Sequence, residues 1–308
     1  MKIVFIMKEN IEKYIELDKK GYIPAPDETV EQFEKRVSAI KKLKEDVESQ
    51  IAEKGFYQIE DLKYDKEELI PIDVLLECQN QSKDKYSFIM DYPPSFFSSS
   101  GMLFYHGGGA ITFEDEDGIY LKDGLFTIFQ LRKHFLKNIK YWIYSRNEII
   151  SHEVCHVARG PFKAVNYEEY FAYMTSSSGF RKWFGPALWR GIDMTILMLM
   201  LLIIFCAQGY VFYTQSNNLI YFGSWAPFSL YLAYLAMRSY SSRSKINRLR
   251  EKIKSTYSNC LETVDSILFR MTDQEIIEGS ASSNLEKFIE EKNDLRWQII
   301  KARFINFS

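Results

Sequence analysis

Two apolar runs, residues 192–213 and 219–237, sit in a stretch without one charged side chain between Met194 and Met237. Each is about 20 residues long, the length that crosses a hydrocarbon core. In lipid every backbone N–H and C=O must be satisfied within the protein, so runs of this kind have to be helical. The connection at 214–218 is too short for a domain, and the simplest reading is a two-helix transmembrane hairpin. Tyr210, Tyr213, Tyr221 and Trp225 lie near the turn, and Trp183 and Trp189 precede the first run, where interfacial rings are favoured. The alternative is a pair of buried core helices in a large soluble domain; Gly223 and Pro227 weaken the second span more than the first. Arg181, Lys182 and Arg190 precede the hairpin, and Arg238, Arg243, Lys245, Arg248 and Arg250 follow it. By the positive-inside tendency the expectation is a multi-pass integral membrane protein, partnered by the lipid bilayer, with both soluble portions facing the cytoplasm. Asp193 falls at the expected boundary, where a carboxylate can reach water.

The second constraint is chemical. Residues 152–156 read His-Glu-Val-Cys-His, and they hold two of the chain's 4 histidines. On a helix, positions i and i+4 lie one above the other, so His152 and His156 can turn both imidazoles toward one Zn2+ ion, and Glu153 can activate a metal-bound water. Ser145 with Glu148 has capping-box spacing and Gly160-Pro161 supplies a stop, so a helix over about 146–159 is expected. Histidines hydrogen-bonded inside a buried helix are the bland reading. Cys155 lies roughly 300° round the helix from His152, which favours packing over ligation.

A catalytic zinc commonly takes three protein ligands and leaves one position to water. Residues 166–173 open a second helix bearing Glu168 and Glu169, the best source of the third donor. Asn166 and Glu169 also satisfy capping-box spacing, which leaves Glu168 as the fallback ligand. The string from His152 to Tyr173 resembles the gluzincin metallopeptidases, in which HExxH is followed on a later helix by a glutamate ligand. Glu169-Tyr170-Phe171-Ala172 is similar to the Glu-x-x-Ala string of the CAAX-prenyl endopeptidase and repressor-cleaving peptidase families. Those families usually place Asp or Asn where this chain has Tyr173. The resemblance implies zinc held by His152, His156 and Glu169, with Glu153 as general base and a protein or peptide as substrate.

With such a ligand set the expected reaction is hydrolysis of a peptide bond by a zinc-activated water. Tyr167, Tyr170, Tyr173, His134 and His106 are the candidate donors to the oxyanion, and Arg159 can orient Glu168 or Glu169 or form a surface ion pair. The competing reading is a catalytically inactive, membrane-tethered scaffold or adaptor whose HExxH helix is structural. Arg146, Glu148 and Arg159 bracket the motif, and 132–140 is strongly basic, so the motif helix belongs outside the bilayer.

A net charge of -2 over 308 residues gives no sign of a nucleic-acid binder. The 4 cysteines form no CxxC pair and fit a reducing compartment, and the apolar stretch at the start, interrupted by Lys8, is too brief for a signal peptide. Val30, Phe33, Val37, Ile40, Val47 and Ile51 recur at helical spacing between Thr29/Gln32 and Gly55, which predicts one long amphipathic helix. Short β-prone runs follow at 102–105, 110–113, 119–122 and 125–129. Among them, 107–109 reads as a flexible glycine turn and 114–117 as a solvated hairpin tip. Zincins commonly present an edge strand beside the active helix. Past the hairpin, 245–269 and 284–304 read as helices, and Thr272 with Glu275 caps another. The expected class is α+β: a mainly helical zincin-like catalytic domain (56–190) with a small antiparallel sheet, preceded by an N-terminal helical region (1–55). A transmembrane hairpin (191–238) and a helical C-terminal tail (239–308) complete the division.

Overall fold

The computed structural model of the chain describes residues 2–103, 107–113, 126–188, 190–215, 218–257 and 260–305. Among the described residues it is mainly helical, α+β in class, with three small sheets. Helix Lys2–Lys19 is followed by the long amphipathic helix Val30–Lys54, opened by a complete capping box of Thr29 and Gln32 and closed at Gly55. Strands β1 (Phe56–Ile59) and β2 (Leu62–Asp65) form a hairpin. The central sheet joins β3 (Ser95–Phe97), β4 (Gly108–Phe113) and β5 (Phe126–Leu131) in the order β3-β5-β4, so β4 lies at its edge among the described residues. β4 is antiparallel to β5, but β3 is parallel to it, so the sheet is mixed where the sequence suggested an antiparallel one.

Of the four expected strands, 110–113 falls on β4 and residues 126–129 of the last fall on β5, whereas Met102 and Leu103 are not in a strand; 104–105, 114–117, 119–122 and 125 lie outside the described residues. β3 was hidden because it is only three residues long and fully buried, so it shows no polar alternation. The pleat sends Phe97, Phe129 and Leu131 into the main core and Phe96 and Ile128 into a smaller cluster with Val47, Ile51, Tyr57 and Tyr64.

The main core draws on distant parts of the chain. Phe33 and Val37 of the long N-terminal helix, Ile150, Val154 and Ala158 of helix Arg146–Arg159, and Ile246, Leu249, Phe269, Trp297 and Ile300 beyond the apolar runs all belong to it. Helices Val264–Phe269, Asp273–Ala281, Leu285–Glu290 and Leu295–Ile300 therefore pack on the body that carries the HExxH motif. The expected box of Thr272 and Glu275 is present, and Asn284 caps through Lys287 N–H. The stretch expected to be helical over 284–304 is broken at 291–294, and 245–269 is no separate helix, because its first half continues the second apolar helix.

The apolar runs form helices Gly191–Thr214 and Leu219–Thr256, which pack against each other and are long and apolar enough to cross a membrane. Only 6% of each apolar window is buried inside the molecule, unlike the helices of a soluble core. Asp193 is buried at 2% exposure rather than open to water. Its carboxylate accepts from Arg238 at 2.5 Å and from the Tyr231 hydroxyl at 2.7 Å, pinning the base of the hairpin.

Candidate metal centre

Helix Arg146–Arg159 carries the motif with its apolar face, Ile150, Val154 and Ala158, in the core and His152, Glu153 and His156 half-buried on the other side. Ser145 makes no side-chain cap: Glu148 is taken by Ser176 Oγ (3.0 Å), Ser177 N–H (2.7 Å) and Arg181 (2.7 Å). The expected capping box is thus replaced by a tertiary clamp on the chain just after the second helix. That second helix, Glu168–Tyr173, starts at Tyr167 without a side-chain cap, and Asn166 instead donates its N–H to Asp273. Glu169 is therefore free of the cap that competed for it.

The three side chains converge. The Nε2 atoms of His152 and His156 are 3.1 Å apart, and the Glu169 carboxylate lies 3.5 Å from the first and 3.6 Å from the second. With one donor atom from each residue, all three lie within 4.8 Å of one another. A tetrahedral site with bonds of about 2.0–2.1 Å has donor–donor edges of roughly 3.3–3.4 Å. The residues present fit such an ion with small adjustments.

Glu168 takes a different place. One carboxylate oxygen lies 3.3 Å from His156 Nδ1 and the other accepts from Arg159 Nε at 3.0 Å. In the tautomer whose Nδ1–H donates to Glu168, His156 turns an Nε2 lone pair toward the cluster. Arg159 is no surface residue: it is 0% exposed, donates to the carbonyls of Phe269 and Met271, and lies against the Phe171 ring. Cys155 is buried and bonded to Ser151 O, as packing requires.

Electrostatics at the centre are strained by burial. Desolvation, then the charges of His156 and Arg181, pushes His152 down to about 3. Burial opposes protonation of His156 as well, but the hydrogen bond to Glu168 and the charges of Glu153, Glu169 and Glu168 carry it up to about 9. Burial raises Glu153 against the pull of His156 and of the Ala110 N–H, and it raises Glu169 against the pull of His156. Two carboxylates whose charged forms are disfavoured by burial, beside two imidazoles, form an arrangement that a cation would relieve.

Glu153 reaches the sheet: Oε2 accepts the Ala110 N–H of β4 at 3.1 Å. Gly107 and Gly108 make that approach possible. A Cβ on Gly108 would sit 2.9 Å from Gln130 O and 3.2 Å from Ile149 Cγ2, and one on Gly107 2.8 Å from Ile149 Cδ1. The glycines are therefore close-packing positions, not the flexible turn expected for 107–109. Since Ala110 N–H points to Glu153, it faces away from β5, toward the open edge of the sheet.

Of the proposed oxyanion donors, Tyr173 packs its ring on His152 at 4.7 Å, and burial first, then Glu169, lifts its hydroxyl to about 12. Tyr167 and Tyr170 are buried, Tyr170 beside Arg250; His134 packs on Tyr141; His106 lies outside the described residues. Arg159 orients Glu168, as one of its two sequence readings has it, and Gly185 is the member of this neighbourhood that sequence reasoning missed. A Cβ on Gly185 would come within 2.5 Å of the Tyr173 ring. Comparison of the chain with protein-family models, with curated proteins and with solved structures returns no match.

Proposed function

We propose that the chain is a membrane-anchored zinc metalloendopeptidase of gluzincin type, with His152, His156 and Glu169 as ligands and Glu153 as general base. The observation that carries this reading is the convergence of three donors, one from each residue and all within 4.8 Å of one another, on adjoining helices, with Glu153 one residue from the first ligand. Zinc bound there would lower the pKa of a water and polarise a substrate carbonyl.

The chain's own residues supply the rest. Glu153 takes the water's proton and passes it to the leaving amine, and the Ala110 N–H on Oε2 fixes the carboxylate's orientation. Burial, which raises the Glu153 pKa, makes it the better base once a cation balances the site. Glu168 and Arg159 hold His156 in its ligating tautomer. Tyr173 donates to the oxyanion, and an extended peptide adds to the edge of β4. In this reading the helices Gly191–Thr214 and Leu219–Thr256, long and apolar enough to do so, cross the bilayer, and the basic residues flanking them favour a cytoplasmic catalytic body.

Metal analysis of the purified full chain tests the assignment: about one zinc per chain is expected, lost in His156→Ala and Glu169→Ala. Glu153→Gln keeps the metal and loses cleavage of a quenched-fluorescent peptide library. Equal zinc in wild type and His156→Ala, or none in either, overturns the reading in favour of an anchored scaffold.

A further inference from the structure

Between Arg132 and Asn147 the basic side chains Arg132, Lys133, Lys137, Lys140 and Arg146 are interleaved with Leu136, Ile139, Trp142 and Ile143, and no carboxylate intervenes. Leu136, Lys137, Ile139 and Lys140 are exposed, and at the tip Trp142 and Ile143 are 70% and 71% exposed. The tip is a two-residue turn between β6 (Lys140–Tyr141) and β7 (Tyr144–Ser145), with Trp142 at φ 53. Turns of this length select Gly, Asn or Asp at left-handed positions. Tryptophan followed by isoleucine is the opposite choice for a turn in water, and backbone strain of this kind gathers at functional positions.

A second outcrop lies next to the first. Helix Gly179–Phe184 exposes Phe180 at 72% and Trp183 at 57%, with Phe180 stacked on Phe184. Arg181 joins the two, lying over the Tyr144 ring at 5.6 Å while paired with Glu148. Arg243, on the continuation of the second apolar helix, donates to the carbonyls of Lys182 and Trp183. The exposed rings are thus continuous with the place where the apolar helices join the body.

We propose that the 136–143 loop and the Phe180/Trp183 ridge form an interfacial membrane anchor. Trp142, Ile143, Phe180 and Trp183 enter the headgroup region of the bilayer that the apolar helices cross, and Lys137 and Lys140 contact anionic phospholipid. Amphipathic aromatic rings with flanking lysines suit that interface, and large apolar side chains gathered at this exposure signal a partner. The proposal rests on the spanning reading of the two helices. Because helix Arg146–Arg159 begins directly after this loop, the anchor sets the candidate metal centre close to the membrane surface.

The test uses the full chain in nanodiscs of phosphatidylcholine with phosphatidylserine, in a Cys206→Ser background; Cys78, Cys155 and Cys260 are buried. A nitroxide on Ile143→Cys is expected to collide more with oxygen than with a water-soluble nickel chelate. Adding Lys137→Glu and Lys140→Glu shifts that ratio toward nickel. Nickel dominating at position 143, an unmoved ratio in the charge variant, or dipolar broadening between two copies at position 143 each overturns the anchor. A label on Leu202→Cys reports the spanning helix separately, so an aqueous position 143 beside a lipid-embedded position 202 defeats the anchor alone.

Discussion

Glu168 divides its two oxygens between an imidazole and a guanidinium, and that division decides which of two adjacent carboxylates can meet a metal. Glu168→Gln keeps a group that can bond Nδ1 but loses the charge; zinc affinity is expected to fall about 10–100-fold with the ligand set intact, measured by competition with a chromophoric chelator. Arg159→Met should do more. It removes the cation beside Glu168, which keeps only His156, and leaves the carbonyls of Phe269 and Met271 without their donor. A loss of about 1–3 kcal/mol is expected, read as a lower denaturation midpoint as well as weaker metal binding. The i,i+4 histidines were legible because a helix leaves them nowhere else to point. The choice between Glu168 and Glu169 was not, since both suit a helix start, and only the packing of two helices separates them. The pairing of Arg159 with Glu168 was legible from the helical turn between His156 and Arg159, but its burial was not, because its carbonyl partners, Phe269 and Met271, lie more than a hundred residues along the chain.

At the scale of elements, β4 and helix Arg146–Arg159 act as a unit because two glycines allow them to touch. Gly108→Ala puts a methyl 2.9 Å from a backbone oxygen of β5, which cannot retreat without breaking the sheet. A destabilisation of about 1–3 kcal/mol is expected, together with loss of the Ala110 bond to Glu153, read as a fall in kcat at unchanged zinc content. An unchanged kcat would separate Glu153's placement from the strand. On the neighbouring helix, Tyr173→Phe should lower kcat by about 10²-fold with KM nearly unchanged, if its hydroxyl serves the oxyanion. Helix ends set by local chemistry were legible, as Thr29/Gln32 and Thr272/Glu275 show. Ser145/Glu148 has the same spacing and fails, because Ser176, Ser177 and Arg181 offer Glu148 more hydrogen bonds than a single backbone N–H can.

Across the whole molecule, the segments on either side of the apolar helices share one core, and buried ion pairs tie them together. Asp18 of the first helix bonds Arg270 at 2.8 Å and also Arg303, so the two ends of the chain meet in the interior. Such pairing is invisible to periodicity, which reports that a residue is buried but not against what. Glu275 shows what it contributes. Burial opposes its charge, but Arg296, the Trp297 indole N–H and the Thr272 N–H outweigh burial and hold its carboxyl at about 2 against an ordinary 4.5. A depressed carboxylate stabilises the fold above its unfolded pKa and loses that contribution as pH falls through the folded value. Stability should therefore drop between about pH 4.5 and about pH 2, by about 3 kcal/mol from this group. Urea unfolding in detergent, followed by near-ultraviolet circular dichroism, should show Glu275→Gln less stable at pH 7 but with a shallower decline across that window. An equally steep decline in the variant would assign the acid sensitivity to other carboxylates, and the link between Arg296 and Glu275 would then be a packing contact without a charge-dependent share.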